Sequence, residues 1–171
     1  MTKPKGDLFT QHDCLDLQPP HRAITITGSR SIPRVAARAM FDRHLTPYLR
    51  SSVTWIIGGA LGVDHWALEW LLDCGETCWV VVPQSAKEQP SSVRPHLSRA
   101  TRLVELQLRP GKRAYLDRNR FMVDRSKAVI GFWTGQPGGT SWTLQYAIRK
   151  GLEVHAYVVD SSGGPDNAAA R

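Results

Sequence analysis

Apolar residues along this chain fall into short continuous runs, and helical-period stretches lie between them. The runs within Ala23–Thr27, Val53–Ile57, Thr77–Val82 and Ala128–Trp133 predict four strands. Several read as unbroken rather than alternating, the pattern of strands buried on both faces of a parallel sheet. Leu103–Leu108 alternates apolar and polar residues and predicts a short, half-exposed strand; Glu153–Val159 predicts a last one. Ala37, Phe41, Leu45, Tyr48 and Leu49 share one face of a helix over about 34–50, with Pro33 near its start and Pro47 shortening its last turn. Val63, Ala67, Trp70, Leu71 and Cys74 give a helix over 63–74, stopped at Gly75. Further helices are expected over 112–126 and 140–150, the second ended by Gly151. Gln84–Thr101 is long, polar and interrupted by Pro90 and Pro95, which suits a lid or a short irregular helix.

Strand and helix therefore alternate, and right-handed crossovers between parallel strands define the architecture. The expected fold class is α/β, a Rossmann-like three-layer domain with a mostly parallel sheet. It occupies 21–160, between a flexible leader (1–20) and a flexible tail (161–171). Three of the strands run straight into glycine loops that open helices: Gly28-Ser29-Arg30, Gly58-Gly59-Ala60-Leu61-Gly62-Val63-Asp64, and Gly135-Gln136-Pro137-Gly138-Gly139-Thr140-Ser141. A helix start offers unpaired N–H groups and the positive end of a dipole, and glycine lets an anion come close to them. Ligands of such sheets sit beyond the carboxyl ends of the strands, where all three loops fall.

Each loop carries an alternative. Arg30 suits a bidentate grip on phosphate, while Ser29 and Ser31 also suit a turn and a cap. Asp64 either stabilises a helix start or holds a ribose hydroxyl. Gly138, Gly139, Thr140 and Ser141 either cradle a phosphate or form a strand-to-helix connection. Arg118 and Arg120, two residues apart in the basic helix, cannot face the same way. Asn119 shares a face with Tyr115, Leu116 and Val123, points toward the sheet, and needs polar partners there.

Charge narrows the choice of partner. The chain of 171 residues carries a net charge of +7. Between Arg94 and Lys127 there are ten Lys/Arg and three acids; ten minus three accounts for the whole surplus. Such a segment is either a solvated basic surface or a patch for an anionic partner such as nucleic acid. No apolar stretch approaches the ~20 residues of a membrane span, and Met1–Pro20 lacks the apolar core of a secretion signal, so a cytoplasmic, non-membrane protein is expected. Cys14, Cys74 and Cys78 suggest no disulfide framework; Cys74 and Cys78 read as buried thiols. Neither a metal site nor a catalytic triad is evident, and His65 is expected at the surface. Trp66 and Trp142, each just after a glycine loop, are candidates for stacking on a base.

The order of Gly28-Ser29-Arg30, then Gly58-Gly59-Ala60-x-Gly62-x-Asp64, then Arg118-Asn119-Arg120, then a strand and a Gly/Thr-rich loop resembles the DprA/Smf family of DNA-processing proteins. It also resembles the wider SLOG superfamily, which joins them to the LOG nucleotide phosphoribohydrolases. The similarity covers about 22–160. It implies an extended Rossmann-like domain that binds single-stranded DNA and, in DprA relatives, helps load a recombinase. LOG enzymes typically show Pro-Gly-Gly-x-Gly-Thr-x-x-Glu; here Pro137-Gly138-Gly139-Thr140-Ser141-Trp142-Thr143 is shorter and lacks the glutamate. The expectation is a nucleic-acid or nucleotide-binding protein, a homodimer, with no cofactor, no metal and no catalytic residue. The rivals are a LOG-like nucleoside monophosphate phosphoribohydrolase or nucleotide sensor, and a subunit with a vestigial pocket.

Overall fold

A computed structural model describes residues 20–159. The leader and tail expected from the sequence lie outside the described residues, save Pro20. Six strands form one sheet: β1 (Ala23–Gly28), β2 (Thr54–Gly58), β3 (Thr77–Val82), β4 (Arg102–Glu105), β5 (Ala128–Trp133) and β6 (Glu153–Val158). Their order is β4-β3-β2-β1-β5-β6, and every pairing is parallel. The helices are α1 (Arg34–His44), α2 (Val63–Asp73), the short α3 (Arg94–Leu97), α4 (Lys112–Asp124) and α5 (Gly139–Arg149).

Strand alternation sorts the core into two layers. Ile24, Ile26, Trp55, Ile57, Val80 and Phe132 pack with Phe41 of α1 and Leu68 of α2. The intervening positions Ala23, Ile56, Val81 and Val104 meet Phe121 and Met122 of α4, and Val129 meets Leu144 and Ala147 of α5. Both faces of the central strands are thus covered, which is why they read as continuous apolar runs.

Four expectations are corrected. The first helix ends at His44 rather than near 50; Thr46–Tyr48 closes it with a tight turn around Pro47. β4 is shorter than 103–108. Leu106 and Leu108 still donate to Val82 and Pro83 carbonyls, but Gln107 lies between them at φ +52° and breaks the pleat. Cys74 is exposed, because α2 ends at Asp73 and leaves it at the cap; Cys78 is buried, which pushes its thiol up to about 12. His65 is buried rather than at the surface. Its ring stacks on Trp66 and lies 5.2 Å from His96 of α3, which covers it. Among the described residues no helix is long and apolar enough to cross a membrane.

The chain order reverses between β1 and β5. After β1 it proceeds outward through β2, β3 and β4, and α4 then carries it back to lay β5 on the other side of β1. Parallel sheets open a crevice at such a point, beyond the carboxyl ends of the two strands.

Candidate functional site

A cavity of about 560 Å³ lies at that switch point. Its walls are the end of β1 and the loop after it (Thr27–Ser31), the loop after β5 and the start of α5 (Thr134 and Gln136–Thr140), Ala60 and Asp64 from the second glycine loop, and one face of α4. Residues Lys112, Tyr115, Leu116 and Asn119 supply that face at helical spacing, with Arg118 beside it.

Ser29 joins the walls. Its N–H donates to the Phe132 carbonyl at 3.0 Å, its carbonyl accepts from Val63 N–H at 3.3 Å, and its hydroxyl accepts from Thr134 N–H at 3.2 Å. One residue therefore ties the first loop to the second and the third. Gly62, at φ +80°, sits where a side chain would overlap the Arg30 backbone, so the first two loops are in backbone contact.

A buried polar network underlies the cavity. Asp64 and Arg118 are 5 % and 4 % exposed, with Oδ2 and Nη1 3.7 Å apart. Arg118 Nε donates to Asn119 Oδ1 at 2.8 Å, and its Nη1 donates to the Val81 carbonyl at 3.3 Å. Asn119 Nδ2 donates to Thr143 Oγ1 at 2.8 Å, and Thr143 donates to the Gly139 carbonyl at 2.7 Å. The chain of contacts runs from the second glycine loop to the third. Burial pushes the Asp64 carboxyl up, while the Arg118 guanidinium and the Ala60 N–H pull it back. Burial also works against the Arg118 charge, which Asp64 restores.

Gly28, Ser29, Arg30, Asp64, Arg118, Asn119, Gly138, Gly139 and Thr140 all line the cavity. Gly58, Gly59, Gly62, Arg120 and Ser141 do not. A methyl at Gly58 would overlap Arg118 Nη1 and Asp64 Oδ2, so this glycine makes room for the pair rather than for a ligand. One at Gly59 would come within 2.7 Å of Val82. Ser141 is engaged in capping: its hydroxyl accepts from Gly138 N–H at 2.8 Å and donates to the Gly138 carbonyl. Arg120 points away from the cavity, paired with Asp117 at 3.3 Å and lying over Trp142 and Tyr146. Trp66 and Trp142 line no part of it.

Sequence reasoning did not single out Lys112 and Tyr115, although both share the helical face that was assigned to Asn119. Tyr115 is 40 % exposed, and the Arg30 guanidinium lies 5.2 Å from its ring centroid. The cavity's charged groups are thus Arg30, Lys112 and Arg118 against Asp64. Elsewhere in the basic segment Arg99 pairs with Asp73, Arg113 and Arg120 share Asp117, and Arg102 lies over Trp79. The N-terminus of α5 completes the wall, with Gly138, Gly139 and Thr140 at its first turn. Three cationic side chains, a helix start, hydroxyls and an aromatic ring together have the chemistry that a phosphorylated ligand with a planar group would need.

The fold is that of a Rossmann-like α/β protein, with the cavity at its switch point. The sequence profile of the DNA recombination-mediator protein A family matches residues 3–167, and the chain belongs to that family. Solved structures agree on the fold. DNA processing protein A from Helicobacter pylori, which binds single-stranded DNA, superposes with a TM-score of 0.67 at 19 % identity, over 85 % of this chain and 71 % of that one. The same protein from Streptococcus pneumoniae gives 0.65 at 18 %, over 79 % of this chain. This chain spans half the length of the pneumococcal protein. The molybdenum cofactor carrier protein of Chlamydomonas reinhardtii gives 0.58 at 16 %, over 79 % of this chain and 75 % of that one. None of the curated proteins matches the sequence.

Proposed function

We propose that the cavity binds single-stranded DNA, seating one phosphate against Arg30, Lys112 and the first turn of α5 and stacking a base on Tyr115. The observation that carries this reading is the juxtaposition of Arg30 and Tyr115, 5.2 Å apart at a cavity whose cations outnumber its one carboxylate. Phosphate neutralisation supplies the sequence-independent part of nucleic-acid affinity, and base–aromatic stacking adds about 1–3 kcal/mol per base. Membership of a DNA-processing family and the DNA binding of the Helicobacter pylori relative support the same ligand.

Binding rather than turnover is favoured by Asp64. Among the described residues it is the one carboxylate lining the cavity, and it is already held by Arg118 and the Ala60 N–H. A group so engaged is poorly placed to support cleavage of an N-glycosidic bond. Fluorescence anisotropy with a labelled oligothymidylate tests the proposal. Salt-sensitive binding, lost in an Arg30→Ala/Lys112→Ala variant, is the expected result. Unchanged affinity in that variant removes the site. Preferential binding of free nucleoside monophosphate, with base release detected by chromatography, transfers the cavity to the phosphoribohydrolase reading. Light scattering on the same samples measures whether the chain forms the homodimer expected from the resemblance.

A further inference from the structure

On the outer surface of α4 and α5, beside the cavity, two stacked aromatic side chains and two cationic ones form an ordered ladder. Trp142 and Tyr146, one turn apart on α5, stack with ring centroids 5.3 Å apart and planes within 4° of parallel. The Arg120 guanidinium lies 5.9 Å from the first ring and 5.7 Å from the second, and that of Arg149 lies 6.0 Å from the second. Trp142 and Tyr146 remain half-buried, while Arg149 is exposed. Asp124 holds the lower end, accepting from the Tyr146 hydroxyl at 2.8 Å and pairing with Lys150 at 3.0 Å.

Tyr146 packs in part against the core around Leu144 and Ala147, and both rings keep part of their surface open to water. Two parallel rings flanked by guanidinium groups match what an unpaired strand presents: flat bases joined by anionic phosphates. The ladder also continues from the cavity. Trp142 follows the wall residue Thr140 by two positions, at the first turn of α5. From Trp142 to Arg149 the helix rises about 10 Å, room for about three bases at the ~3.4 Å spacing of a stacked strand. A cavity of about 560 Å³ is the size of a small-molecule pocket and holds only a short piece of a polymer.

We propose that single-stranded nucleic acid seated in the cavity continues along this ladder, with bases against Trp142 and Tyr146 and phosphates near Arg120 and Arg149. This path rests on the proposed binding at the cavity and extends it. It makes affinity depend on strand length, and it assigns that dependence to residues outside the cavity.

The test compares two oligothymidylates, one of about two nucleotides and one of about twelve. Affinities are read by anisotropy for the long probe and by competition for the short one. In Trp142→Leu and in Arg149→Glu the long probe is expected to bind about tenfold more weakly, while the short probe stays within about twofold. Arg149 is exposed, so its variant separates loss of contact from loss of folding, and a thermal melt checks Trp142→Leu. Unchanged affinity for the long probe in both variants overturns the path. So does an equal loss for both probes, which would place these residues' influence inside the cavity. If wild-type protein binds neither probe, the cavity reading fails, and the path fails with it.

Discussion

The Arg118 guanidinium and the Asp64 carboxylate lie 3.7 Å apart in the protein interior, and both are almost wholly withdrawn from water. Such a pair gives little net stability against an apolar replacement, but removing one member strands the other charge. Arg118→Met is therefore expected to destabilise the fold by about 3–5 kcal/mol. Adding Asp64→Asn to the same chain should recover part of that loss. Urea denaturation of the two variants checks it, and simple additivity would show that the groups are not coupled.

Two glycines separate stability from binding. Gly58→Ala places a methyl where Arg118 and Asp64 already meet, so the midpoint of unfolding should fall sharply. At Gly139 a methyl meets nothing within 4 Å, and helix position favours alanine. Gly139→Ala should fold at least as well as wild type. It is expected to bind the oligonucleotide more weakly, because it crowds the first turn of α5. Calorimetry of melting beside anisotropy reads both effects.

Salt dependence counts phosphate contacts. Each contact to a single strand contributes about 0.7 to the slope of log affinity against log salt. Arg30→Ala and Lys112→Ala should each lower the slope by about that amount, and Arg94→Ala, which is not one of the cavity walls, should leave it unchanged. Titration at several salt concentrations measures all three.

His65 makes stability depend on pH. Burial first, and then the neighbouring His96, pushes its pKa below the ordinary 6.5, with Glu69 opposing and Arg34 reinforcing the shift. Its Nδ1 has no hydrogen-bond partner among the described residues. The unfolded chain then binds the proton more readily than the folded one. Stability should rise as pH climbs from the lowered value to 6.5, level off above it, and fall on acidification through that window. Unfolding midpoints across the window should show this slope in wild type and a flatter one in His65→Phe.

What could be read from the residues, and what could not, follows from the range of each interaction. Apolar runs located β1, β2, β3 and β5 within a residue, because strands buried on both faces carry their environment in their own composition. The shared face of Tyr115, Leu116 and Asn119 was also local, a matter of helical period. His65 was not legible, since its burial depends on His96 from the irregular stretch after β3, thirty-one positions away. Nor was the purpose of Gly58. A glycine beside a presumed ligand looks the same in sequence as one that clears space for Arg118, sixty positions on. Cys74 fitted the apolar periodicity of α2 and was misplaced only because the helix stops one residue short of it.

The crossover through α4 has a consequence for how the protein is made. Ile24 pairs with Ala128, so β1 waits for a segment more than a hundred residues downstream before its second neighbour arrives. The third glycine loop and the first turn of α5 come only with that late arrival, although α4 precedes it. A nascent chain halted before β5 would hold a sheet, but its cradle would have one side open. Affinity for the ligand should therefore emerge in one step, at closure of the most distant strand pair, and report completion of the fold.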